Sequence, residues 1–116
     1  MKNYSTKLSQ STIHGLYNAI EEIIQTPVDD DNDKLLFATL AQIMSVLYKK
    51  KEWLIQKNTS VTFLPAQAIA LRILYTDYIN DATSYLGNQL HKISNEVAQI
   101  YQMPPGAKHH LSWTLL

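Results

Sequence analysis

At 116 residues, with ten basic side chains balancing ten acidic ones, the chain has the size of one domain (1–116) and no surplus of positive charge. That balance argues against a dedicated nucleic-acid binder, whose phosphate contacts draw on excess lysine and arginine. The lack of cysteine excludes disulfide scaffolds, thiolate metal sites and cysteine nucleophiles.

A hydrophobic content of 46% is enough for a core, while three glycines and four prolines are too few for a turn-rich β-sandwich and fit a mostly helical chain. Met1–Gln10 holds no apolar run of signal-peptide length, and no stretch approaches the roughly 18 apolar residues of a membrane span. The expectation is a cytoplasmic protein without membrane partners. Arg72 is the only arginine beside nine lysines, which reads as A/T-rich coding and a bacterial or phage-like source.

The first periodic segment runs from about Ser9 to Gln25. Ile13, Leu16, Tyr17, Ile20, Ile23 and Ile24 fall on one helical stripe, and Thr26-Pro27 ends it, because a residue before proline is pushed out of the α region. Ser5, Ser9 and Ser11 are candidate caps. A second helix follows Asp29-Asp30-Asp31-Asn32-Asp33, whose carboxylates suit the positive end of a helix dipole. Its broad apolar face extends from Leu36 to Ile55, with Lys49, Lys50, Lys51 and Lys57 toward the end and Asn58 as the stop. Leu35, Val46 and Trp53 lie on a flank outside that face and form a candidate contact surface.

The third segment begins near Pro65, a favourable first-turn residue, and is closed by Met103-Pro104-Pro105-Gly106. Its stripe keeps phase across Gly87. The reading is therefore one long helix, roughly 55 Å at about 1.5 Å per residue, with a four-helix arrangement turning at Gly87 as the alternative. Ala66 to Leu74 is apolar nearly all round, as in a central helix, whereas Gln89 and Glu96 interrupt the later stripe. Residues 61–64 and 110–115 read as extended, the latter by strict polar–apolar alternation, and the two pieces are candidates to pair. The expected fold is thus an all-α antiparallel bundle of three main helices. Residues 104–116 form a tail that covers the bundle or a partner.

Chemistry-bearing patterns are sparse. The aspartate run resembles a calcium loop but has Lys34 where the glycine belongs and Leu40 where the bidentate glutamate belongs, so it reads as a capping loop. His14, His91, His109 and His110 include no i, i+4 pair, and no cofactor is expected. His91 shares a presumed solvent face with Asp77, Asp81, Ser84, Asn88 and Asn95. Glu21-Glu22 and Asp77/Asp81 are carboxylate pairs without a cleft to shift them. There is no phosphate loop or nucleophile elbow, so the chain reads as a non-enzyme.

Tyr17, Tyr48, Tyr75, Tyr78 and Tyr85 suit a core rim, with a ligand pocket between helices as a weaker reading. The leading functional expectation is a non-catalytic protein-interaction module, self-associating as a homodimer, with Leu35, Val46, Trp53, Arg72, Gln89, Glu96 and Trp113 as contact residues. Arg72 is expected to pair with a carboxylate across helices or subunits. The alternative is a small nucleic-acid-associated regulator using Lys49, Lys50, Lys51 and Lys57 beside Trp53.

Overall fold

The computed structural model describes residues 1–51, 58–81 and 83–101. It opens with a strand the composition gave no reason to expect. Tyr4–Ser9 (β1) alternates buried Tyr4 and Leu8 with exposed Ser5 and Lys7. It pairs antiparallel with Asn58–Phe63 (β2), in the register Tyr4↔Phe63 through Ser9↔Asn58. The rings of Tyr4 and Phe63 stack at 6.4 Å on the core side, and the hydroxyls of Ser5 and Thr62 meet at 2.8 Å on the outer side. Both are cross-strand pairs of the kind that stabilise a short ladder. Among the described residues the fold is therefore mixed, four helices with a two-stranded antiparallel sheet, and not all-α. The extended segment at 61–64 does find a strand partner, but that partner is the N-terminus; residues 110–115 lie outside the described residues.

Ser9 ends β1 and caps the first helix, Gln10–Ile23 (α1), accepting from the Thr12 amide at 3.1 Å. Ile13, Leu16 and Ile20 are fully buried at helical spacing. Asp30 caps Asp31–Lys50 (α2) by accepting from the Asn32 amide at 2.7 Å, with Asp31 and Asp33 in the first turn and Lys49 and Lys50 in the last. The charges thus oppose both ends of the dipole. Lys51 is already extended, so α2 stops short of the expected Asn58; residues 52–57, including Ile55, Trp53 and Lys57, lie outside the described residues.

Pro65–Asp77 (α3) begins with proline in its first turn, where a missing N–H costs nothing. The Gln67 side chain accepts from the Leu64 amide at 3.0 Å. Gln67 to Leu71, Ile73 and Leu74 are all buried, as expected of a central helix, although Ala66 is exposed.

The single long helix is incorrect. α3 ends at Asp77 and a fourth helix, Tyr85–Ile100 (α4), packs back against it. The alternative had the right number of helices but the wrong turn: the reversal occupies residues 78–84, and Gly87 sits inside α4. The amides of Tyr78 and Ile79 both bond to the Leu74 carbonyl, closing α3. Asp81 Oδ1 then accepts from the amide and the hydroxyl of Thr83, and Ser84 caps α4 by accepting from the Gly87 amide at 3.0 Å.

The continuity of the apolar stripe in sequence is coincidental. A loop passes on no helical phase: α4 buries its own face through Leu90, Ile93 and Val97, while Tyr78 and Tyr85, which bridge the two halves of the stripe in sequence, are exposed. Gly87 does have a steric role. A Cβ there would collide with the Asp81 carbonyl oxygen and lie 2.7 Å from its carbon and 2.8 Å from Ser84 Oγ, so the turn folds down onto the helix only because that side chain is missing.

Candidate functional site: the outer face of the second helix

No charged residue separates Lys34 from Lys49. One side of that stretch is core: Leu36, Phe37, Leu40, Ile43 and Leu47 are buried. The opposite side, at about 100° per residue, presents Ala38, Ala41, Gln42 and Ser45, flanked by Leu35 and Tyr48; all six are exposed. Leu35 leaves 48% of its surface open and Tyr48 65%. Short side chains between two large apolar ones make a shallow, uncharged strip, with Asp30 and Asp31 at one end and Lys49 and Lys50 at the other. Val46, on the same flank as Leu35, is half-buried and packs on the core. Trp53, which was to extend that flank, is outside the described residues.

The described lysines of the cluster are placed differently. Lys49 and Lys50 are exposed. Lys51 turns its ammonium over the Tyr17 ring at 4.4 Å and the Tyr48 ring at 5.7 Å, and the two rings lie 6.1 Å apart. This cation–π contact ties the end of α2 to α1; Lys57 is not described.

The remaining candidates are brought together with residues of this same chain. Arg72, half-buried on α3, donates from Nη1 to the Ser94 carbonyl at 3.2 Å and lies 3.4 Å from its hydroxyl. The contact is interhelical, as expected, but to a backbone oxygen and not a carboxylate. Glu96 meets a polar group reached only through the unforeseen strand: the Tyr4 hydroxyl donates to its Oε1 at 2.5 Å. Tyr4 is only 2% exposed. Burial, reinforced by the Glu96 contact, raises its hydroxyl pKa far above the usual phenol value. Gln89 is half-buried on α4, and Trp113 falls outside the described residues.

Asp77 and Asp81 do not share a helix, because α3 stops between them. The polar stripe drawn through His91 is corrected for the same reason. His91 instead places Nδ1 2.9 Å from the Tyr75 hydroxyl and Nε2 3.2 Å from Asn95 Nδ2. Among the described residues no three His, Asp or Glu side chains are grouped to hold a metal ion; His109 and His110 are not described. The tyrosine hydroxyls do not converge either. Tyr75 faces His91, while Tyr85 bonds to Ser9 and Thr12, which lowers its pKa. Tyr17 and Tyr48 hold Lys51.

Two structurally important polar residues escaped the sequence reading. Tyr4 could have been found from its spacing to Leu8 across serine and lysine, a period-two pattern. Gln10 carried no signal. It is fully buried and donates from Nε2 to the Lys50 carbonyl and the Thr59 hydroxyl, both at 2.9 Å, joining α1 to the end of α2 and the start of β2.

With the geometry established, comparison with known proteins finds no match to a protein family, a curated protein or a solved structure. No helix among the described residues is long and apolar enough to cross a membrane.

Proposed function

We propose that the chain is a non-catalytic, cytoplasmic protein-interaction module that associates with itself through the outer face of α2. The observation that carries this reading is the uncharged strip from Leu35 to Tyr48, exposed on a helix whose opposite face already fills the core. Solvent-facing helix surfaces normally carry charge, and contiguous apolar exposure marks contact sites. Ala38, Ala41 and Ser45 are small enough for a second helix to approach closely, since interaxial distance follows the side chains at the crossing.

The ends of the strip favour a second copy as the partner. A twofold axis near Ala41 sets two α2 helices antiparallel, which brings Asp30 and Asp31 of one copy toward Lys49 and Lys50 of the other and opposes the two dipoles. α3 and α4 cover each other, so no overlong third helix demands a partner.

Sedimentation equilibrium over a wide concentration range tests the proposal. The wild-type chain is expected at twice its 13.3 kDa mass. A Leu35→Glu/Ala41→Glu variant is expected at the monomer mass with unchanged helical circular dichroism. A wild-type chain that stays monomeric at every concentration sinks the reading.

A further inference from the structure

The outer strip of α2 reads the same in both directions. Large side chains stand at Leu35 and Tyr48 and small ones at Ala38, Ala41 and Ser45, with Gln42 beside the middle. The intervals between these six exposed positions, three, three, one, three and three residues, are symmetric about the Ala41–Gln42 bond. A twofold interface requires such self-complementarity, because a residue that touches some position in the other copy is touched by that position in return.

Tyr48 is already arranged for contact. Its ring lies 6.1 Å from that of Tyr17, and the Lys51 ammonium sits over both, so a largely exposed aromatic side chain is held in place by its neighbours. Tyrosine is a frequent anchor of interfaces, and one ordered beforehand loses less freedom on association.

We propose that the chain self-associates in one register, with the twofold axis at the Ala41–Gln42 bond and Tyr48 of each copy seated on Leu35 of the other. The inference rests on the self-association proposed above and fixes its geometry. Ala38 then faces Ser45 across the axis, where short side chains let the helices approach, and the Tyr48–Leu35 contacts close both ends. Half-buried Asp33 falls opposite Lys50. Lys34 falls opposite Lys49, a like-charge pair of exposed side chains that salt screens.

The chain has no cysteine, so engineered thiols report the register without background. Under mild oxidation Ala41→Cys is expected to give a disulfide-linked dimer. Ala38→Cys alone and Ser45→Cys alone are expected to stay unlinked. In this register the two copies of either position lie seven residues apart along the helix, about 10 Å, beyond the roughly 7 Å between Cα atoms that a disulfide spans. An equal mixture of those two variants is expected to cross-link. In sedimentation equilibrium Tyr48→Ala is expected to weaken association about tenfold or more, whereas Tyr48→Phe keeps it. Ala38→Cys linking to itself, a mixture that does not link, or Tyr48→Ala associating like wild type overturns the inference and leaves self-association standing. A wild-type chain that is monomeric at every concentration removes both.

Discussion

The second and third helices have similar apolar content but use it in opposite ways. α3 has almost no outward side: Ala68, Ile69, Ala70, Leu71, Ile73 and Leu74 are all buried, enclosed by α2 on one side and α4 on the other. α2 commits one face to the core and leaves Leu35, Ala38 and Ala41 in solvent. Composition alone cannot separate these cases, because an alanine is cheap in either setting. What differs is the number of neighbours, and that depends on where the chain reverses.

The sharpest way to break the contrast is to truncate one leucine on each helix. Leu71→Ala on α3 should cost about 2–5 kcal/mol, read as a lowered urea midpoint, because the enclosed site cannot collapse around the missing atoms. Leu35→Ala on α2 should stay within about 0.5 kcal/mol for the monomer while weakening association. Equal losses at the two positions would mean the strip is already covered within one molecule.

Next in size is Gly87→Ala. Helix propensity alone favours the change by up to about 1 kcal/mol, but the Asp81 carbonyl occupies the space. A net loss of about 1–3 kcal/mol is therefore expected in thermal unfolding. A stabilised variant would show that the turn at residues 78–84 yields easily.

The Tyr4–Glu96 contact gives a comparable or smaller effect. Tyr4→Phe removes a hydrogen bond to a carboxylate, worth about 1.5–3 kcal/mol. It also carries a pH signature. The folded state holds the phenol proton more tightly than the unfolded chain, whose pKa is near 10. This contribution is therefore complete below pH 10 and is lost as pH rises beyond it. Wild type should lose stability above pH 10 more steeply than Tyr4→Phe, measured by urea titration at several alkaline pH values; parallel profiles would contradict the assignment.

The pattern of what could be read from the residues follows from range. Ser9 as a cap, the Pro27 stop, the aspartate-capped start of α2 and Pro65 in the first turn of α3 are local signals, and each appears where its chemistry places it. β1 was missed because its serines read equally well as caps and its ladder partner lies beyond two helices. The break after Asp77 is fixed by hydrogen bonds of Asp81 with Thr83 and Ser84, which helical periodicity does not register. Of the proposed contact residues, Leu35 is exposed as the flank argument requires. Arg72 and Glu96 proved to be satisfied within the chain, by Ser94 and by Tyr4. Neither partner was deducible without the tertiary path.

The pairing of β1 with β2 also constrains the order of events during synthesis. The first strand leaves the ribosome well before Asn58–Phe63 exists, so neither Tyr4 nor Leu8 has a mate while α1 and α2 emerge. Such nonlocal closure is slow and entropically costly. Nascent chains that stop before Phe63 are thus expected to leave Tyr4 and Leu8 without their ladder partners.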